Sequence, residues 1–226
     1  MFARWAKMAK AFTRMGKEIA IAAKQGGPDP DGNPRLRVAV QNAKAINMPK
    51  SNIDSAIQRA TSKDMKDYEE ITYEGYGPHA IAIVIETATD NSTRTVANIR
   101  HIFSKYGGSL GKTGSLDFLF ERKGVFEMDA KGINLEELEF ELIDHGLEEI
   151  EAVEDKVFVY TAFSDFGKMQ KALEEHKITV VAASKERIPN NLIELNTEQK
   201  AEVEKLVEKL EEEDDVQAVY HNMKHD

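Results

Sequence analysis

The stretch ITYEGYGPHAIAIVIETATDNSTRTVANIRHIFSKYGGSLGKTGSLDFLFERKG, residues 71–124, decides how the rest of the chain is read. Residues 80–86 form a short apolar, β-branched run, the pattern of a buried strand. Thr89-Asp90-Asn91-Ser92 is a polar turn rich in capping residues, and Asp90 or Ser92 is the expected cap. Val96, Ile99, His101, Ile102, Phe103 and Tyr106 then recur at about helical spacing. Gly107-Gly108 stops that helix, because glycine accepts the left-handed geometry of a helix end. A glycine-rich loop leads to a predicted strand over 116–120. The stretch therefore reads as one β-α-β unit with open, polar turns.

Gly111-Lys112-Thr113 invites comparison with a phosphate-binding loop. That pattern needs a glycine five positions before Gly111, where Tyr106 stands. The loop also precedes a strand, whereas a phosphate loop opens a helix. Nucleotide hydrolysis is not expected, and the glycines are assigned to tight turns and close backbone approach. His221 and His225 have helical i, i+4 spacing but no third ligand, so neither a metal nor a cofactor is expected. No nucleophile signature is present, and the chain is not read as an enzyme. With zero cysteines, disulfides, thiolate zinc sites and cysteine nucleophiles are excluded.

Before this stretch the chain is basic and helical. Met1, Trp5, Met8, Phe12, Met15, Ile19 and Ala22 form a sustained apolar stripe. Lys7, Lys10, Arg14 and Lys17 each follow a stripe position by two residues, which puts them on the opposite, exposed face. Residues 25–32 are a turn. Asn33-Pro34 is a strong helix start, with Asn as cap and Pro in the first helical position. Leu36, Val40, Ala43 and Ile46 form the inner stripe of this second helix. Ser51 and Asp54 read as a capping-box-like pair for a third helix, with Ile53, Ala56, Ile57 and Ala60 inward. The junction at residues 47–50 resembles a helix-turn-helix, though a plain three-helix bundle is the favoured reading.

Beyond residue 124 the chain is acidic. Strands are predicted over 125–128, 147–153, 157–160 and 178–183, with helices over 134–145 and 165–177. That order, β-α-β-β-α-β, is the ferredoxin-like plan. A short strand over 191–195, an acidic helix over 197–213 and a last strand over 216–220 complete the chain. The predicted fold class is α+β multidomain: an N-terminal three-helix domain followed by two ferredoxin-like α/β domains, one inserted in the other. The expected boundaries are residues 1–70, residues 71–124 plus 190–226, and the insertion 125–189.

Several strings resemble the YebC/PmpR family, nearly end to end and in order. They are Asn33-Pro34-Arg35-Leu36-Arg37, Asn47-Met48-Pro49-Lys50, Tyr73-Glu74-Gly75-Tyr76-Gly77-Pro78, Thr89-Asp90-Asn91, Arg94-Thr95-Val96-Ala97, Gly107-Gly108 with Leu110-Gly111, and Gly114-Ser115. Two departures stand out. The family carries a further basic stretch ahead of the residue matching Trp5, where this chain has four residues. It also has two glycines after the proline matching Pro78, where this chain has His79-Ala80. The resemblance implies a helical domain followed by two interleaved α/β domains. It also implies a role as a promoter-binding transcriptional regulator or as a translational activator at the ribosome.

Charge distribution supports a polyanion partner independently of that resemblance. The net charge is −10, yet residues 1–63 hold 12 Lys+Arg against 4 Asp+Glu, leaving 18 and 36 for the remainder. A basic segment joined to an acidic one would orient the encounter with nucleic acid. The expected contacts are Lys7, Lys10, Arg14, Lys17, Lys24, Arg35, Arg37, Lys44, Lys50 and Arg59, with a secondary patch of Arg94, Arg100, Lys105 and Lys112. The expected partner is DNA, with ribosomal RNA as the alternative. A protein partner for the acidic domains is a further alternative. No apolar run is long enough to span a bilayer, no signal peptide is read, and a cytoplasmic location is expected.

Overall fold

The computed structural model describes residues 2–62 and 67–224, with side chains from residue 8 onward. Three helices lead: α1 (Phe2–Gly26), α2 (Pro34–Ala45) and α3 (Lys50–Ala60). Their shared core is Ile19, Ala22, Ala23, Leu36, Ala39, Ala43, Ile53 and Ala56. Five of these eight are alanines, small side chains that let helices approach closely. Asn33 holds the first corner. Its side-chain oxygen accepts from Leu36 N at 3.1 Å, and its amide donates to Ala22 O at 2.7 Å and Gly27 O at 2.8 Å. One buried side chain thus starts α2 and ends α1, as the Asn-Pro pair predicts. The expected Ser51–Asp54 capping box does not form. Helix α3 begins at Lys50 behind Pro49, with no side-chain cap, so Ser51 already lies inside the helix.

Among the described residues, eight strands follow in two four-stranded antiparallel sheets. The first contains β1 (Glu69–Tyr76), β2 (Ala82–Thr89), β3 (Ser109–Leu110) and β8 (Val216–His221), in the order β3-β1-β2-β8. The second contains β4 (Phe120–Asp129), β5 (Leu147–Val153), β6 (Lys156–Ala162) and β7 (Val180–Pro189), in the order β5-β6-β4-β7. Helix α4 (Ser92–Lys105) and α7 (Thr197–Glu211) cover the first sheet around Ile83, Ile85, Ile99, Phe103, Val203, Leu206 and Leu210. Helices α5 (Leu135–Leu142) and α6 (Phe166–Glu175) cover the second around Phe126, Met128, Leu138, Val159 and Met169.

The expected fold class is the one observed, with differences in detail. The strand expected over 116–120 is instead a short 3-10 turn at Asp117–Leu119, after which β4 runs unbroken for ten residues in the second sheet. The strand following α4 is only Ser109–Leu110. The sequence expectation divides β4 at residues 121–124, where charged residues interrupt the apolar run; in the fold Lys123 pairs with Glu148 at 3.4 Å and Glu121 at 3.6 Å, and Arg122 stacks on Phe163. Residues 71–76, unassigned from sequence, belong to β1. The strand expected over 191–195 reduces to a single parallel bridge, Ile193 to Met223.

The β1–β2 turn contains the departure at His79-Ala80. Both residues take left-handed backbone geometry, with φ 59° and φ 58°. The turn thus keeps the shape that glycines would adopt, at a steric cost. His79 Nε2 lies 2.8 Å from Glu202 on α7.

The N-terminal helices pack against the second sheet. Helix α2 lies along β7, an edge strand of the second sheet. Asn42 donates to Ala183 O at 2.7 Å and accepts from Ala183 N at 2.9 Å, while Gln41 donates to Val180 O. These amides replace a missing neighbouring strand and cover an edge that would otherwise be open.

Candidate nucleic-acid interface

The expected row on α1 sits on the face opposite the helical core, but that face is not open. It docks on the C-terminal end of α7. Lys10 Nζ donates to Glu212 O at 2.5 Å and Arg14 Nη2 to Glu211 O at 2.6 Å. Lys17 Nζ donates to Asp214 O at 2.8 Å, to Ala88 O at 3.1 Å and to Asp215 Oδ1 at 2.8 Å. A helix C-terminus presents unpaired carbonyls and the negative end of the macrodipole, so it attracts cations as an anion does. The expectation that Lys10, Arg14 and Lys17 are exposed is therefore corrected: all three are partly buried, and the Lys17 side chain is 11% exposed. The side chain of Lys7 lies outside the described residues.

Asp215 is the centre of this contact, and it is not among the site residues expected from sequence. It is 4% exposed. Its second oxygen accepts from Arg94 Nη2 at 2.7 Å, Thr95 Oγ1 at 2.8 Å and Thr89 Oγ1 at 3.1 Å. Burial opposes ionisation there, but the donors Lys17, Arg94 and Thr95 outweigh it and hold the carboxyl well below the usual carboxylate range. Helix α1, the end of β2, the start of α4 and the start of β8 meet at this one carboxylate. The cap of α4 is Asn91, not Asp90 or Ser92. Asn91 Oδ1 accepts from Arg94 N at 3.1 Å, while Asp90 pairs with the Arg94 guanidinium at 2.9 Å. Arg94 thus belongs to the clamp, whereas Arg100, Lys105 and Lys112 of the expected secondary patch remain exposed.

Other expected contacts are also engaged. Arg35 pairs with Glu70 at 2.5 Å and Glu18 at 3.3 Å. Arg37 reaches Glu174 at 3.6 Å, and Lys24 reaches Asp67 at 2.5 Å. Lys44, Lys50 and Arg59 are exposed and carry no ion pair among the described residues. Lys50 opens α3, and Arg59, further along it, lines a groove between α1 and α3 of about 590 Å³.

A second cationic group forms where β4 and β7 pair. The Arg122 guanidinium stacks 3.8 Å from the Phe163 ring centroid, and Lys185 Nζ lies 4.9 Å from the same ring. Burial, then the nearby Arg35 and Arg122, hold the Lys185 amine below its usual range. These residues were not singled out in the sequence, because they come from strands 63 positions apart that pair only in the fold.

The glycine loop is occupied from within. Glu74, 2% exposed on β1, accepts from Gly114 N at 2.8 Å and Leu116 N at 2.6 Å. A carboxylate of the chain itself thus takes the loop amides that a phosphate would need. Among the described residues no group of three or more His, Cys, Asp or Glu is placed to hold a metal, and His225 lies outside them. No helix among the described residues is long and apolar enough to cross a membrane.

Comparison with known proteins agrees with this architecture. The sequence model of the TACO1/YebC N-terminal domain matches residues 1–63, and that of the TACO1/YebC second and third domain matches residues 68–223. A probable transcriptional regulatory protein of Cytophaga hutchinsonii is 61% identical over 97% of this chain and 92% of its own. One of Parabacteroides distasonis is 57% identical over 100% of this chain and 93% of its own. The crystal structure of a conserved hypothetical protein from Aquifex aeolicus superposes with a TM-score of 0.81 at 37% identity, covering 96% of this chain and 90% of that one.

Proposed function

The chain belongs to the TACO1/YebC family, and we propose that it is a non-enzymatic regulator of gene expression that binds nucleic acid through its N-terminal helical domain. DNA is the first reading of the partner, in keeping with the transcriptional names of its relatives, and RNA at the ribosome is the alternative. The observation that carries the proposal is the exposed set Lys44, Lys50 and Arg59, which carry no ion pair among the described residues, on a domain whose charge opposes that of the rest of the chain. Arg100, Lys105 and Lys112 lie exposed on the first α/β unit. Phosphate binding releases counterions, so the log of the affinity should fall with log salt by about 0.9 per duplex phosphate engaged. Fluorescence anisotropy across a salt series tests this. A flat dependence would contradict the proposal.

The outer face of α5 supports an additional role as a protein-binding adaptor. Phe140 is 82% exposed and Ile143 60% exposed. Around them stand Glu136, Glu137, Glu139 and Asp144, all exposed. An apolar pair ringed by carboxylates suits a cationic, partly apolar protein segment.

A further inference from the structure

Helix α1 contains a glycine in its interior that no packing contact requires. A Cβ placed on Gly16 would meet nothing within 4 Å. Glycine in a helix interior costs stability relative to alanine, and here no atom of the described residues occupies the space it leaves. That space is the floor of the groove between α1 and α3, about 590 Å³, within the range of small-molecule sites. Phe12 and Tyr68 contribute aromatic surface, and Asn52, Ser55 and Arg59 form one wall. Those three wall residues lie at i, i+3 and i+7, so a single stripe of α3 supplies an amide, a hydroxyl and a guanidinium. Lys17 stands 5.5 Å from the Tyr68 ring centroid, which ties the ring to the clamp at Asp215.

Resting on the nucleic-acid reading above, we infer that this groove takes an unstacked nucleobase of a single strand, with the adjoining phosphate at Arg59. Its chemistry matches the ligand at each point. Aromatic surface accepts the π-face of any base, an amide and a hydroxyl reach a base edge, and a guanidinium meets phosphate. A duplex fits poorly. A helix that reads the major groove must project its contact residues, whereas Asn52, Ser55 and Arg59 line a recess. The bases of a duplex stay stacked and cannot enter it.

The test is fluorescence anisotropy of the full chain with fluorescein-labelled twelve-nucleotide oligo-U, oligo-dT and a duplex of equal length. Either single strand should bind ahead of the duplex. Gly16→Leu fills the floor and raises helix propensity, so single-strand affinity should fall about tenfold or more, the loss of one base stack, with the melting temperature held or raised. Duplex affinity should not change. Ser55→Trp fills the groove from the opposite, exposed wall and should reproduce the loss should Gly16→Leu disturb folding. Single-strand binding that survives both substitutions, or a duplex that binds as well as either strand, overturns this inference alone. Failure of the unaltered chain to bind any of the three probes overturns the nucleic-acid reading as well.

Discussion

Two basic surfaces of the N-terminal domain have opposite fates. Lys10, Arg14 and Lys17 on α1 face the end of α7 and spend their charge on its carbonyls and on Asp215. Lys50 and Arg59 on α3 face solvent, Arg59 at the wall of an open groove. Both sets look alike as sequence: lysines and arginines at helical spacing opposite an apolar stripe. The contrast shows that a cationic face identifies only that an anion is wanted. A helix C-terminus within the same chain satisfies that demand as a phosphate would.

The comparison can be broken first at Asp215. Asp215→Ala leaves Lys17 and the hydroxyls of Thr89 and Thr95 without their shared acceptor. Removing one member of a buried, hydrogen-bonded ion pair should cost about 3–5 kcal/mol, read as a lower urea midpoint. An unchanged midpoint would mean that the clamp does not hold the domains.

Acid should act on the same point. The folded carboxyl titrates below its unfolded value of about 3.9, so its stabilisation is complete above that pH and fades as pH falls further. The stability difference between the unaltered chain and Asp215→Asn should therefore be constant near neutrality and shrink below about pH 4. A difference that stays constant down to pH 2 would locate the acid sensitivity elsewhere.

A smaller effect separates the adaptor surface from the fold. Phe140 is exposed, so Phe140→Ser should change stability by less than about 0.5 kcal/mol in a thermal melt. A large loss would show that the ring packs against something in the free protein. An effect of opposite sign, a gain in stability, is expected in the β1–β2 turn. Ala80 pays about 1–2 kcal/mol for its left-handed geometry, and glycine adds about 0.4–1 kcal/mol of unfolded-chain entropy. Ala80→Gly should gain about 0.5–1 kcal/mol, and a loss would mean that the methyl group itself is needed.

Much of this fold is legible from local patterns. The Asn33-Pro34 start, the Gly107 stop and the alternation of strands and helices past residue 124 all carry their own signals. What escaped depends on partners distant in sequence. Glu74 reads as one acid in a strand, and only the fold shows that it holds the glycine loop 40 residues on. Asn42 is one polar residue on α2 until β7 arrives beside it. Asp215 sits in a run of acids from Glu211 to Asp215 that composition assigns to solvent. The cue that separates it is its neighbour Val216, which marks the strand that carries it inward. The groove was not legible, because emptiness around Gly16 is a property of packing.

The most direct measurement compares two double substitutions across a salt series, by anisotropy on one labelled nucleic acid. Lys50→Gln with Arg59→Gln should lower the slope of log affinity against log salt by up to about 1.8 and leave the melting temperature unchanged. Lys10→Gln with Arg14→Gln should leave that slope alone and lower stability by about 0.3–1 kcal/mol for each cation removed from the helix end. The reverse pattern, with the slope carried by Lys10 and Arg14, would contradict the division between an internal clamp and an outward binding surface.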